Sequence, residues 1–183
     1  MKINLGSSDD LKPGWLNVDR GPDPRQTLNY GIELDYLQAD LNEPWPWADS
    51  SVEAIYAHDV FEHLTGPGGV APKIWAMNEA WRVLQPGGVL DLAVPCVYLD
   101  DGRINPGAFA DPTHVSFWTM DDRYYFCDEW NHPAGERGRL GPAYGIVALF
   151  HARLWRMIEY GARGARGGME RRSKVTAILE AVK

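Results

Sequence analysis

The chain has 183 residues, about the length of one domain, and is long enough to bury a core without disulfides or a structural metal. Its 18 basic and 25 acidic residues give a formal charge of −7, which argues against nucleic-acid binding driven by net charge. Hydrophobic residues make up 45% and charged residues 23%, which excludes wholesale disorder and collagen-like repeats. We therefore expect a single domain over residues 1–183.

The sequence predicts neither a membrane span nor a signal peptide. It has no apolar run of about 18 residues, and Met1–Leu5 leads directly into a polar turn. Cys96 and Cys127 belong to no CxxC or CxxH grouping, so they form neither a disulfide framework nor a zinc signature. We expect a cytoplasmic protein.

Short apolar runs bounded by Gly, Pro, Asp and Ser predict four strands in the first third of the chain. The link Ser7–Gly14 between the first two is shorter than the dozen or so residues of an ordinary parallel crossover, so we expect an abbreviated connection. The four predicted strands are Lys2–Leu5, Trp15–Asp19, Tyr36–Asp40 and Val52–His58.

Helical spacing follows, first at Val60–Leu64 and then over Lys73–Leu84. Apolar residues recur at intervals of three and four in the longer segment, which predicts an amphipathic helix. Pro86–Gly88 is a stop signal, and the apolar run Val89–Val94 predicts a central strand. The apolar positions of the helix are Ile74, Met77, Trp81 and Leu84.

Beyond Cys96, high Gly and Pro content predicts a loop-rich region over residues 98–142 that serves as a lid or binds a substrate. Within it, Thr119 is a candidate N-cap for a short helix over Met120–Phe126. Lys174–Ala181 is a candidate final strand. A basic cluster precedes and enters this strand; a solvated surface is its first interpretation and a site for an anionic acceptor or partner its second. Its members are Arg163, Arg166, Arg171, Arg172 and Lys174.

A Gly-Ser turn after the first strand and a carboxylate at the end of the second are typical of nucleoside binding on an α/β sheet. Gly6 lets the backbone approach a ligand closely, and Asp19 is suited to accept hydrogen bonds from ribose hydroxyls. Taken alone, the same residues also fit an ordinary turn and a solvated carboxylate.

Segments between Ile3 and Pro95 resemble the class I S-adenosylmethionine (SAM)-dependent methyltransferases, particularly their small, compact branch. The resemblance implies an α/β, Rossmann-like fold with a mostly parallel central sheet, helices on both faces and an antiparallel strand near the C-terminus. Two departures are Ser7-Ser8, where the family usually has a second glycine, and the lack of the usual N-terminal helix before the first strand. The matching segments are Ile3–Ser8 with Pro13–Asp19, Asp40–Trp47 with Ser50–Ile55, Ala57–Leu64, and Asn78–Gly88.

The resemblance also implies SAM as cofactor and S-adenosylhomocysteine as product. It places Asp19 at the ribose, Asp40 at the adenine amino group and Leu41 against the adenine ring. His58, at the end of a strand beside the first, is expected to face the methionine portion or the methyl group. The full set of expected cofactor-binding residues is Gly6, Ser7, Asp19, Asp40, Leu41 and His58.

His114 is the first candidate for a general base and His58 the second, because a histidine with a near-neutral pKa can accept a proton as the methyl group moves. The segment Asp111–Trp118 around His114 resembles one found after the fifth strand in small methyltransferases, although a loop-anchoring histidine fits equally well. The run His58–His63 holds two histidines and two carboxylates, but its spacing differs from HxxEH, so no metal is predicted. Glu62 and His63 are expected to form a hydrogen-bonded pair.

We therefore predict transfer of a methyl group from SAM to an oxygen, nitrogen or carbon nucleophile of a small-molecule or sugar- or lipid-linked acceptor. The alternative is a non-catalytic SAM-binding partner or regulatory subunit, and a homo-oligomer is also left open. A nicotinamide-dependent oxidoreductase is disfavoured because no GxGxxG follows the first strand.

Overall fold

The computed structural model describes residues 1–23, 33–128, 141–164 and 168–183. Seven strands in these residues form one sheet in the order β3-β2-β1-β4-β5-β7-β6. They are β1 (Lys2–Leu5), β2 (Leu16–Asp19), β3 (Asp35–Gln38), β4 (Val52–His58), β5 (Leu84–Pro95), β6 (Phe150–Arg163) and β7 (Met169–Ala181).

The first five strands pair in parallel, and β7 runs antiparallel to both of its neighbours, β5 and β6. This confirms the expected mostly parallel sheet with an antiparallel strand near the C-terminus. The chain moves outward from β1 through β2 to β3 and then returns to the other side of β1 with β4. The carboxyl ends of β1 and β4 therefore flank the switch point at which open α/β sheets bind ligands.

The connection from β1 to β2 contains no helix, as its length predicts. A buried asparagine organises it instead: Asn17 donates from Nδ2 to the carbonyl oxygens of Lys12 and Trp15, at 3.2 and 3.1 Å. Its Oδ1 accepts the Lys12 N–H at 2.7 Å and the amide of buried Asn4 at 2.9 Å. Two amides on adjacent strands thus satisfy the backbone of a turn that has no helix of its own.

The helix α1 (Pro72–Val83) links β4 to β5 and agrees with the predicted helix to within one residue at each end. Proline occupies its first turn, where its missing N–H costs no intrahelical bond. The prediction that Pro86–Gly88 separates the helix from a strand starting at Val89 is wrong, because β5 begins at Leu84. The pairing with β4 shifts register around this segment, and such an irregularity accommodates Pro and Gly within a strand.

The region predicted as loop-rich contains two four-residue helices, α2 (Gly107–Ala110) and α3 (Arg123–Phe126). A 3₁₀ turn, Met120–Asp122, leads into α3, and Thr119 caps it as predicted, with its hydroxyl accepting the Asp121 N–H at 3.3 Å. Residues 129–140 of this loop-rich region lie outside the described residues.

The final strand begins earlier than predicted. β7 starts at Met169, where it already pairs with β6, rather than at Lys174. Of the basic cluster, Arg171 forms ion pairs with acidic neighbours and Lys174 pairs with Asp59, while Arg166 lies outside the described residues. Cys96 and Cys127 are both buried, and they form no disulfide bond with each other. Within the described ranges, no helix combines the length and the apolar character that a bilayer crossing requires.

Candidate functional site

The backbone of the turn after β1 lies close to the first residues after β4. Gly6 has a φ of +60°, and a Cβ atom built on it would lie 2.5 Å from Cγ2 of Val60. Both the left-handed conformation and the close approach require glycine at this position. Ser8 has a φ of +42°, and its N–H donates to Oδ2 of Asp19 at 2.9 Å. The first turn is therefore connected to the end of β2.

Two carboxylates lie at the same edge of the sheet, Asp19 as the last residue of β2 and Asp40 just after β3. Asp19 accepts the Ser8 N–H at Oδ2 and the Gly21 N–H at Oδ1, the latter at 3.0 Å, which fixes its orientation. Asp40 accepts both the backbone N–H and the side-chain amide of Asn42 at Oδ1, each at 2.9 Å. Each carboxylate keeps acceptor capacity for a ligand, because a carboxylate has about four lone-pair sites.

A cavity of about 370 Å³ lies at this edge, and we call it the strand-end cavity. It brings together four of the predicted cofactor-binding residues: Gly6, Asp19, Asp40 and Leu41. Its wall also includes Asp59, Val60, His63 and Thr113. This volume lies within the usual range for small-ligand pockets, which begins at about 300 Å³.

Ser7 and His58 do not line the strand-end cavity. Ser7 is buried, with its N–H bonded to the Val18 carbonyl at 3.1 Å. The ring of His58 stacks on Tyr56 at a centroid distance of 3.9 Å, and its Nε2 lies 2.8 Å from Oδ1 of Asp91. The cofactor contacts predicted for these two residues, and the catalytic role of His58, stay predictions.

A second cavity of about 470 Å³ adjoins the first, and we call it the loop cavity. Asp59 and His63 line both cavities, so the two are separated by little more than these side chains. The predicted base His114 lines the loop cavity together with Glu62. The rest of its wall includes Asn105, Asp111, Tyr160, Arg172 and Lys174.

Two histidines meet edge to face in the wall of the loop cavity, with the ring centroids of His63 and His114 at 4.7 Å. Nδ1 of His114 lies 2.8 Å from the Ala108 carbonyl oxygen and must donate its hydrogen, since a carbonyl only accepts. Nδ1 of His63 lies 2.9 Å from the Thr113 hydroxyl, which itself donates to Oδ1 of Asp111 at 2.6 Å. Burial is the main cause that lowers the pKa of His63, and the charge of His114 adds to it.

Glu62 is 1% exposed, and neither of its carboxylate oxygens has a hydrogen-bond partner in the described parts of the chain. Burial raises the pKa of this carboxyl to about 8. Its Oε1 lies 4.0 Å from Nε2 of His63, too far for a hydrogen bond. The predicted hydrogen-bonded pair of Glu62 and His63 is therefore wrong, because the two side chains face each other without touching.

Sequence reasoning assigns no site role to Asp59 or Thr113, and it includes Lys174 only in the basic cluster whose second interpretation is a site for an anionic acceptor or partner. Asp59 and Thr113 were passed over although they lie within segments already singled out, at the carboxyl end of β4 and beside His114. Lys174 approaches from β7, where its ammonium pairs with Asp59, and no local pattern connects residues 115 positions apart. A search for polar residues directly after each strand would have found Asp59 alone.

Residues 10–92 match the family model of a methyltransferase domain. No curated protein matches the sequence.

Solved structures share the fold at low identity. One is from the complex between the Haloferax volcanii Trm112 methyltransferase activator and a methyltransferase, with 15% identity and a TM-score of 0.59, covering 100% of this chain and 82% of that one. A methyltransferase from Bacillus halodurans has 10% identity and a TM-score of 0.58, covering 100% and 92%. A SAM-dependent methyltransferase from Methanosarcina mazei has 15% identity and a TM-score of 0.53, covering 100% and 92%.

The family match and the shared fold together show that the chain has the fold of the SAM-dependent methyltransferases, whose cofactor is S-adenosylmethionine, and that residues 10–92 match a methyltransferase domain.

Proposed function

We propose that this chain transfers the methyl group of SAM to a small polar acceptor, with the cofactor in the strand-end cavity and the acceptor in the loop cavity. The observation that carries the proposal is the wall that the two cavities share, Asp59 and His63. Methyl transfer needs the sulfonium and the nucleophile in line and a few ångströms apart, and adjoining cavities meet that need.

In the strand-end cavity, Gly6 lets the backbone approach the ligand, Asp19 accepts hydrogen bonds from the ribose hydroxyls, and Asp40 accepts one from the adenine amino group. The Leu41 side chain packs on the adenine ring. Backbone N–H groups of Ser8 and Gly21 hold the Asp19 carboxylate in place before the ligand arrives. Such preorganisation reduces the entropy that binding must overcome.

The loop cavity favours an acceptor that is polar and carries an anionic group. Arg172 and Lys174 line it beside Asp59 and Asp111. Lys174 is already paired with Asp59, whereas the half-buried Arg172 lies 3.6 Å from Glu170 through Nη2, and its Nε has no hydrogen-bond partner among the described residues. A carboxylate or phosphate on the acceptor would meet that guanidinium.

The reaction forms a bond between the acceptor nucleophile and the methyl carbon and breaks the carbon–sulfur bond, leaving its electron pair on S-adenosylhomocysteine. A hydroxyl or amine acceptor must also lose a proton. We assign that proton to Nε2 of His114, since Nδ1 of the same ring donates to the Ala108 carbonyl oxygen.

The test begins with thermal unfolding of the chain alone and with SAM, S-adenosylhomocysteine or NAD. We expect stabilisation by the first two of roughly 2.7 kcal/mol at about 100 times the dissociation constant, and none by NAD. The chain is then incubated with SAM and a panel of hydroxylated and amino carboxylates, sugars and sugar phosphates, and S-adenosylhomocysteine is quantified.

His114→Ala should lower turnover at least 100-fold without weakening SAM binding. His151→Ala is the matched control, because His151 lines neither cavity. Full turnover by His114→Ala would remove the base from the proposal. SAM binding with no turnover on any acceptor would contradict it and support the role of a SAM-binding partner subunit.

A further inference from the structure

We propose that Glu62, His63 and His114 bind one divalent transition-metal ion at the wall of the loop cavity. One donor atom from each residue lies within 4.8 Å of the other two. All three residues line the cavity, so an ion and an acceptor could reach the site from the same side. The site itself is independent of the proposed function, and only its role toward the acceptor rests on it.

The hydrogen bonds around the two histidines leave the correct nitrogen of each ring unprotonated. Nδ1 of His114 donates to the Ala108 carbonyl oxygen at 2.8 Å. The Thr113 hydroxyl donates to Asp111, so it must accept from Nδ1 of His63 at 2.9 Å. Both neutral rings therefore carry a lone pair on Nε2. Metal-binding histidines are held in the same way, with the other ring N–H bonded to a carbonyl, a carboxylate or water.

Glu62 supplies the second, independent observation. It is 1% exposed, and neither of its oxygens has a hydrogen-bond partner among the described residues. Its Oε1 faces Nε2 of His63 at 4.0 Å. A buried carboxylate is costly without a compensating partner, and a cation between it and the two imidazoles would provide one.

The separation of the donors fits an ion after a small closure. Donors bound to a tetrahedral zinc ion at about 2.0–2.1 Å lie roughly 3.3 Å apart. The three donor atoms lie within 4.8 Å of one another. Side-chain rotations that move each donor by less than about 1 Å would therefore bring them to the separation that zinc requires. Asp111 lies behind Thr113 and orients His63 without joining the ligands.

Two imidazoles and one carboxylate favour zinc or another first-row transition ion over magnesium, which prefers oxygen ligands. Three protein ligands leave at least one coordination position open toward the cavity. An acceptor hydroxyl or carboxylate bound there would be placed beside the wall shared with the cofactor. The ion would lower the pKa of that hydroxyl, and its proton would pass to solvent.

The same nitrogen of His114 cannot bind an ion and accept a proton. The ion-loaded chain therefore uses His114 as a ligand, and the metal-free chain uses it as a base. The sequence-based expectation of no metal considered only residues 58–63, whereas the third ligand lies 51 positions beyond His63.

The experiment measures metal binding directly, without turnover. The chain is dialysed against EDTA and titrated with Zn²⁺ by calorimetry and with Co²⁺ by visible absorption. We expect one ion per chain with micromolar or tighter affinity, and no comparable heat with Mg²⁺. Glu62→Gln, His63→Ala and His114→Ala should each weaken Zn²⁺ binding at least 100-fold, and His151→Ala should leave it unchanged.

Stabilisation by SAM in each variant shows that the fold is intact. Absence of stoichiometric Zn²⁺ binding, or equal loss in His151→Ala and His63→Ala, would overturn the proposal. Zn²⁺ binding that depends on the three residues but accompanies no methyl transfer would support the site and count against the proposed function. Methyl transfer at the same rate with and without bound Zn²⁺ would overturn the role assigned to the ion.

Discussion

The two cavities are built from different parts of the chain. The strand-end cavity takes its walls mainly from turns that directly follow β1, β2, β3 and β4. The loop cavity combines the turn after β4 with the loop around His114 and with side chains of β7. One cavity therefore depends on local backbone conformation, and the other on contacts between residues distant in sequence.

One arginine fixes the loop before β4 and another fixes the loop after β5, and the two differ in burial. Arg82 on α1 donates to the carbonyl oxygens of Trp45 and Trp47 and pairs with Glu79, which is 7% exposed. Arg171 on β7 pairs with Asp100 and Asp101 at the exposed surface of the loop region. Buried ion pairs are costly to break, whereas exposed ones contribute little and are screened by salt.

The largest effect is expected from Arg82→Ala. It removes two carbonyl partners and leaves the Glu79 carboxylate with the Trp45 N–H as its remaining bond at 2.9 Å. We expect the free energy of unfolding to fall by about 3 kcal/mol, measured by urea denaturation. Arg171→Ala is the matched comparison and should cause a much smaller loss, which decreases further at high salt. Equal losses in the two variants would contradict the contrast in burial.

A second test concerns the backbone of the strand-end cavity. Gly6→Ala combines strain at φ +60° with a clash against Val60, and we expect SAM affinity to fall about 100-fold. Gly14→Ala has similar strain at φ +73° but meets nothing within 4 Å. Calorimetric titration with SAM should show little change for Gly14→Ala. A comparable loss of SAM affinity in both variants would attribute the effect to backbone strain and exclude a specific role for the close approach.

This difference between the cavities explains which strands and site residues could be predicted from the sequence. The strands at Lys2–Leu5 and Val52–His58 have the predicted bounds, and Gly6, Asp19, Asp40 and Leu41 meet in one cavity. Turn residues carry their conformational preference locally, and parallel strands end at a common edge, so a linear pattern was sufficient.

The loop cavity shows where such patterns fail. Whether His63 faces Glu62 and His114 depends on the turn after β4 and on the loop that carries Thr113, and these meet only in the folded chain. His58 ends a strand, but successive residues of a strand point to opposite faces, and its ring lies on the same face as Tyr56, two positions earlier, on which it stacks. Its predicted contact with the cofactor stays a prediction. The sequence predicts a strand from Val89, whereas β5 begins at Leu84, because Pro and Gly occur at strand irregularities as well as between elements.

A smaller effect than that of Gly6→Ala is expected from Asp19→Asn, which replaces one of the two oxygens that accept backbone N–H groups. The amide nitrogen would face one of these donors, and a ribose hydroxyl would lose a charged acceptor. We expect SAM affinity to fall about 30-fold, since hydrogen bonds to charged groups contribute about 1.5–3 kcal/mol. Asp35→Asn, at the opposite end of the adjacent strand, should leave the affinity unchanged.

The smallest expected effect tests what orients the His63 ring in the loop cavity. Thr113→Val keeps the side-chain volume but removes the hydroxyl between Asp111 and Nδ1 of His63. Because such outer partners fix the tautomer and the orientation of a ligand, we expect Zn²⁺ affinity to fall about 10-fold.

Thr176→Val is the matched control for this test, since the buried Thr176 hydroxyl on β7 has no partner to lose among the described residues. A fall in Zn²⁺ affinity with unchanged SAM affinity would show that Thr113 acts through the orientation of His63. Loss of both affinities would show instead that Thr113 supports the wall of the strand-end cavity, and unchanged affinities would exclude the Thr113 hydroxyl from the orientation of His63.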